Sequence, residues 1–443
     1  MTRMPALLLA LFAAACATTA ETGAPPRDAD LAARLDAYLE PLAAQSEFSG
    51  VVRVERDGEV MAERRYGYAD WTSRADHRSG TLYAGASITK GVLAVLLLDL
   101  AEAGALDLDA PVHALLPVLP ERPDVTVRTV LRHRAGLPRD LPTSADLAGG
   151  VAAWLAGNPE AFGPAGEEAY SNVGYALLAE VAEAAGGASF AELAADRVLR
   201  PAGMTDSLVS NDPVSALPGG ARPYTAGPPP LGVAAPVPAR VEPGASGLAV
   251  TVADLAAWGE ALSDRRGTAL FAGDDPLGSL NAGEGPVGAY VGAQGTLPGY
   301  AAGMTAWPDT GVTVAYVANL FSAPVLDLDA TLRRIVAGED VAPPPTRPAD
   351  RPLSAAHAAL AGDYDHPAFG PVTIARDASG QGMRITMPER EPYWTFYLTP
   401  VEGGRLHWRA FDTVFEPGEG GGLAATAKAR TAPERLVLPP RKR

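Results

Sequence analysis

The chain has 443 residues, 47% apolar and 20% charged, which is length for two or three domains with buried cores. Its 36 Lys+Arg against 52 Asp+Glu give a formal charge of −16 and argue against a nucleic-acid partner, while a lone Cys excludes an internal disulfide and a Cys-rich zinc site. Only Lys90, Lys428 and Lys442 are lysine, so residues 1–427 keep a single lysine in a chain that otherwise uses Arg.

Residues 1–15 read as a signal peptide: Arg3 supplies the positive start, and residues 5–15 are an apolar run too short to span a bilayer. Cys16 follows three alanines and resembles the lipidated Cys of a bacterial lipoprotein signal. The expectation is an exported protein of the periplasm or cell envelope, anchored to the membrane through Cys16; plain cleavage that discards Cys16 is the competing outcome.

Residues 16–28 read as a tether. Leu31, Leu35, Leu39 and Leu42 then recur at helical spacing. Strands 51–56 and 59–66 flank Asp57-Gly58, a dipeptide suited to a tight hairpin. Residues 87–102 are apolar on nearly every face, which predicts a buried helix stopped by Gly104. Leu177, Leu178 and Val181 mark another helix, ended by Gly186-Gly187, and Ser189 with Glu192 opens the next through a capping box. Residues 212–247 are rich in Pro and Gly, hold no obvious element and are expected to wall a pocket. Met304 and Trp307, then Val312, Val314 and Tyr316, read as paired strands. Residues 339–352 form a Pro-rich linker, and residues 353–443 carry short β-like runs (371–375, 383–387, 393–398, 405–410) of a small all-β domain.

Lys90 stands three residues after Ser87 at the head of the apolar helix, so its ammonium can reach the Ser hydroxyl on the same face. Burial among Leu and Val lowers a lysine toward a usable base, a role that permanently charged Arg cannot fill. The bland alternative is a helix N-cap with a surface lysine, and Ser-x-x-Lys alone recurs by accident. Tyr170 and Asn172 precede the helix of Leu177; a loop Tyr can exchange a proton with a Ser–Lys pair, and Asn can hold a substrate carbonyl or the Lys. Gly295 and Thr296 lead into strands whose backbone N–H groups suit an oxyanion. The six His are scattered without a metal-ligand pattern, and no metal is expected; His133, His366 and His407 read as structural.

Together these residues resemble the serine β-lactamase and penicillin-binding-protein superfamily, in its class C-like branch. The matching segments are 83–90 (YAGASITK), 131–138 (LRHRAGLP), 166–175 (GEEAYSNVGY), 199–204 (LRPAGM), 247–254 (GLAVTVAD) and 295–300 (GTLPGY). The resemblance implies an α/β (α+β) fold over residues 29–338, with an antiparallel sheet flanked by helices and a mostly helical subdomain. Residues 405–415 resemble appended small β-barrel domains. It also implies Ser87 as nucleophile, Lys90 as base, Tyr170 as proton-shuttling partner and Asn172 as substrate-orienting residue. The N–H groups of Ser87 and Thr296 would form the oxyanion hole, with Gly295 allowing close strand approach and no cofactor required. The implied protein is an exported serine hydrolase of the esterase kind, acting on a small-molecule or peptide acyl substrate. A β-lactamase, a D,D-carboxypeptidase or D-aminopeptidase, and a non-catalytic binding lipoprotein are the alternatives. One departure stands out. Where the family carries Lys or His two before the Gly of its K-T-G element, this chain has Ala293, which predicts a preference for uncharged acyl groups. Arg139 could restore a charge, but the sequence does not place it.

Overall fold

The computed structural model describes residues 28–142, 144–227, 233–234, 241–271, 276–377, 380, 382–387, 394–428 and 433–441. The expected signal peptide, Cys16 and the tether up to residue 27 lie outside them. Helix α1 (Asp28–Ala44) buries Leu31, Leu35, Leu39 and Leu42, the stripe its spacing predicts. Strands β1 (Gly50–Arg56) and β2 (Glu59–Tyr66) meet at Asp57 and Gly58, with φ of 50° and 76°, the left-handed pair a two-residue hairpin needs.

Helix α2 (Ile88–Glu102) is buried over twelve of its positions, so its uniform hydrophobicity reflects enclosure rather than a membrane span. Helix α3 (Asn172–Gly186) ends on Gly187 in the left-handed conformation, and short helices Val127–Leu131, Gly150–Gly157 and Phe190–Ala194 pack on it together with α2. This is the helical subdomain. Helix α4 (Val252–Ser263) follows, capped by Thr251.

Four further strands, β3 (Leu280–Gly285), β4 (Gly288–Leu297), β5 (Tyr300–Trp307) and β6 (Val312–Ala318), complete an antiparallel sheet of order β2-β1-β6-β5-β4-β3. Side chains alternate across it. Val52, Val54, Val314 and Tyr316 face α1 and helix α5 (Leu328–Val336), whereas Val51, Ala315 and Val317 share a core with α2, α3 and α4. The start of α2 is thereby wedged between the β4 edge and the helical subdomain.

The described part of 212–247 is not featureless. It holds a 3-10 turn at Val214–Ala216, a strand pair at Tyr224–Thr225 and Val233–Ala234, and a short helix at Pro243–Ser246. These elements are two to four residues long, too short for periodicity to reveal. Residues 339–352 are extended, but no free spacer: Arg347 donates its backbone N–H to Gln45 Oε1 (2.8 Å) and pairs with Asp350 (2.6 Å).

The C-terminal part is an eight-stranded antiparallel meander: β7 (Gly362–His366), β8 (Gly370–Arg376), β9 (Met383–Thr386), β10 (Thr395–Val401), β11 (Arg405–Trp408), β12 (Thr413–Pro417), β13 (Leu423–Lys428) and β14 (Pro433–Leu438). A bridge between Tyr364 and Pro440 brings its two edges together, giving a nearly closed barrel. Phe396, Trp408 and Phe415 fill the interior. Arg409, wholly buried at the barrel end, donates to Glu47 (2.7 Å) and to the carbonyls of Gln45 (3.0 Å), Ser46 (2.6 Å) and Gly227, pinning barrel to sheet.

Candidate active site

Ser87 immediately precedes α2 in helical conformation, yet its side chain caps nothing. Its Oγ instead lies 2.8 Å from the Tyr170 hydroxyl and 3.1 Å from Lys90 Nζ. The preceding Ala86 has a φ of 46°, a strained value for a residue with a Cβ, at the turn that leads into the serine. The hydroxyl also sits where the helix amino terminus contributes partial positive charge.

Lys90 is fully buried, and its ammonium also donates to the carbonyl of Ala245 (2.9 Å). Burial pushes its pKa below the ordinary lysine value, although the Tyr170 hydroxyl and the charges of Glu242 and Asp140 pull the other way. For Tyr170, burial is the largest influence and raises the pKa. It is outweighed by the charge and closeness of Lys90, by the hydrogen bond with Ser87 and by the nearby Ser279 hydroxyl, so the phenol ends below its usual range.

Tyr170 is held by its neighbours. Ser171 Oγ caps α3 by accepting from Gly174 N (2.8 Å) and donates to Pro138 O (2.6 Å), while Ser171 N donates to His133 Nδ1 (3.0 Å). Ala169 N and Asn172 N donate to His133 O and Arg139 O, both at 2.7 Å, which knits residues 133–139 to the Tyr170 segment. The His133 ring stacks on Tyr170 at 4.5 Å between centroids. Burial, with Lys90 and Arg139 nearby, pushes His133 down to about 4, so it is a neutral platform at neutral pH.

The Asn172 amide donates to Asp140 Oδ1 at 2.5 Å, whereas the hydrogen bonds of Lys90 go to Ser87 and Ala245. Gly295 and Thr296 lie on β4 beyond Ala293, where pairing with β3 stops, leaving that edge open toward Ser87. A Cβ on Gly295 would stand 2.1 Å from Gly85 O and 2.8 Å from Ser87 N, so only glycine lets the strand approach the nucleophile's backbone this closely. Exposed Thr296 follows at the same mouth. Ala293 is buried in the core opposite Met304.

Sequence reading missed three contributors: the Ala245 carbonyl, Asp140 and Ser279. Ser279 has a φ of 57°, and its buried Oγ, without a hydrogen bond of ordinary geometry, lies beside the Tyr170 phenol. A non-glycine residue after Leu277-Gly278 carries no local signal of this position. Elsewhere, His407 Nε2 pairs with Asp412 (2.9 Å), and His366 Nδ1 accepts from Ala368 N (3.1 Å), both in the barrel. Among the described residues no cluster of His, Cys, Asp and Glu could hold a metal, and no helix is long and apolar enough to cross a membrane.

A family model described as "Beta-lactamase" matches residues 35–338. "Esterase EstB" of Burkholderia gladioli is 39% identical over 116 residues, 25% of this chain and 30% of that protein. "D-aminopeptidase" of Gluconobacter oxydans (strain 621H) is 32% identical over 200 residues, 42% and 37% respectively. "Penicillin-binding protein 4*" of Bacillus subtilis (strain 168) is 29% identical over 189 residues, 40% and 41%. The chain thus spans less than half the length of these curated relatives. Among solved structures, "A class C beta-lactamase" superposes with a TM-score of 0.60 at 19% identity, covering 72% of this chain and 98% of that one. "Crystal structure of SurE" gives 0.58 at 23% identity over 93% of this chain and 99% of that chain, a likeness of fold that runs on into the barrel.

Proposed function

We propose, given that this chain belongs to the beta-lactamase family, that it is a serine hydrolase cleaving ester or amide bonds through an acyl-enzyme on Ser87. One observation carries the reading: a fully buried lysine, its pKa lowered by burial, has its amine 3.1 Å from a serine hydroxyl that caps no helix. A second basic atom, the Tyr170 oxygen, lies 2.8 Å from the same hydroxyl. Whichever of Lys90 and Tyr170 holds the shared proton, the other can accept the serine proton as Oγ attacks the carbonyl carbon. The negative oxygen of the tetrahedral intermediate is met by the N–H groups of Ser87 and Thr296, and the relayed proton leaves with the alcohol or amine. Water, deprotonated by the same pair, then releases the acid.

The esterase reading, with β-lactamase and D-amino-acid peptidase activities as rivals, is a matter of substrate. Turnover of a p-nitrophenyl ester, a chromogenic cephalosporin and a D-amino-acid amide separates them, with the ester expected fastest. The hydrolase reading itself is tested by intact-mass detection of one fluorophosphonate adduct, absent in Ser87→Ala; no adduct on folded wild type favours a binding lipoprotein instead. The proposal includes export with lipidation at Cys16, which labelling with a palmitate analogue tests and Cys16→Ala should abolish.

A further inference from the structure

Resting on the reading of Ser87 as nucleophile, we infer that Arg139 is an anion-recognition residue and that the preferred substrates are esters or amides bearing a free carboxylate near the scissile carbonyl. The β4 wall has no charge to offer, because Ala293 is an apolar core residue. Arg139 supplies one from the Tyr170 side of the nucleophile. Its guanidinium carbon stands 5.0 Å from the centroid of the Tyr170 ring, whose hydroxyl is 2.8 Å from Ser87 Oγ.

Three features fit a carboxylate receptor. The side chain is half exposed (51%), so an incoming anion can reach it. Its acidic neighbour, Asp140, faces Nε at 3.4 Å, too long for a strong hydrogen bond, and that carboxylate already accepts from Asn172 at 2.5 Å. Among the described residues the two terminal nitrogens make no hydrogen bond, and they are the pair a carboxylate takes in a forked geometry. The position is also prepared before binding: Asn172 N holds the Arg139 carbonyl at 2.7 Å, and the phenol ring supports the guanidinium from beside it. Lys90 cannot serve instead, since it is fully buried with its ammonium hydrogen-bonded to Ser87 and to the Ala245 carbonyl. The expectation of uncharged substrates rests on Ala293 alone; a guanidinium on the Tyr170 side leads to the opposite preference, and the test below decides between them.

The test uses the full chain. Hydrolysis of the mono-4-nitrophenyl ester of glutaric acid is compared with that of 4-nitrophenyl butyrate, in wild type and Arg139→Gln. Wild type should favour the anionic ester, and the ratio of the two kcat/KM values should fall about tenfold in the variant, chiefly through KM. Binding is read separately in Ser87→Ala by calorimetry with monomethyl glutarate against dimethyl glutarate, with and without Arg139→Gln. The monoanion should bind more tightly, and the second substitution should remove its advantage. A wild type indifferent to the charge in both measurements, or a preference that survives Arg139→Gln, overturns the inference. Arg139-dependent binding of the monoanion without any turnover supports the anion site while sinking the hydrolase reading.

Discussion

Lys90 Nζ lies 3.1 Å from Ser87 Oγ, and no part of the lysine side chain reaches solvent. Lys90→Arg and Lys90→Met should each lower kcat/KM about 10²–10⁴-fold, because neither can take the serine proton. They should separate in stability. Burial holds the folded pKa below the unfolded one, so carrying the lysine's proton costs the native site more than the unfolded chain. That penalty is fully present at and below the folded pKa and disappears as pH rises through the unfolded value. Lys90→Met removes it and should keep or raise the urea midpoint at pH 7; a variant with wild-type turnover would refute the assignment.

Tyr170→Phe should cut kcat by about 10²-fold or more while sparing the fold, since the ring still stacks on His133. Tyr170 raises the Lys90 pKa, so its loss should move the ionisation governing kcat/KM to lower pH. A pH–rate profile that stays fixed, or moves up, contradicts the coupling.

Gly295→Ala places a methyl where Gly85 O and Ser87 N already stand. The strand or the nucleophile must shift, and a misplacement of this kind costs on the order of 10²-fold in rate. Activity should fall with near-native circular dichroism; an active Gly295→Ala enzyme would show that this edge plays no part in positioning Ser87.

His77 and His133 are both pushed down to about 4, chiefly by burial. Between pH 6.5 and 4 the unfolded chain takes up protons at these positions that the folded chain refuses, so stability falls as pH drops and levels below about 4. Each can contribute about 3 kcal/mol to that loss. His133→Phe should flatten the dependence of the urea midpoint on pH across this window, whatever it does to the midpoint at pH 7.

Arg409→Met should destabilise by about 3–5 kcal/mol, because it leaves the Glu47 carboxylate buried without its countercharge. Pairing it with Glu47→Leu should recover part of the loss. Equal damage in the single and double variants would assign the arginine's value to its three carbonyl contacts instead.

Much of this fold is legible in the sequence wherever one period governs a long enough segment. The Leu31–Leu42 stripe, the Asp57-Gly58 hairpin and the apolar run of α2 are of this kind. In the barrel, β7 and β13 escape notice because GDYDH holds a single strand-favouring residue, Tyr364, among Gly and Asp, and LAATAK only Thr426 among alanines; pairing with neighbouring strands makes them strands. The Ser87–Lys90 pair is readable because both lie one helical turn apart. Ala245 and Ser279 are not, for tertiary packing brings Ala245 to Lys90 across 155 residues of chain and Ser279 to Tyr170 across 109. The Ala245 carbonyl, moreover, would act the same on any residue but for its position.

The scarcity of lysine has a practical side. Between Cys16 and residue 427 the one side-chain amine is Lys90, enclosed in the protein. Amine-directed biotinylation, cross-linking or immobilisation will therefore find no side-chain handle on the surface of the sheet and helical parts. The sequence offers further side-chain amines at Lys428 and Lys442 alone. Conversely, a small acylating or reductive-alkylation reagent that does modify residue 90 must have entered through the substrate opening, so mass mapping of that single site can serve as a gauge of access to the pocket.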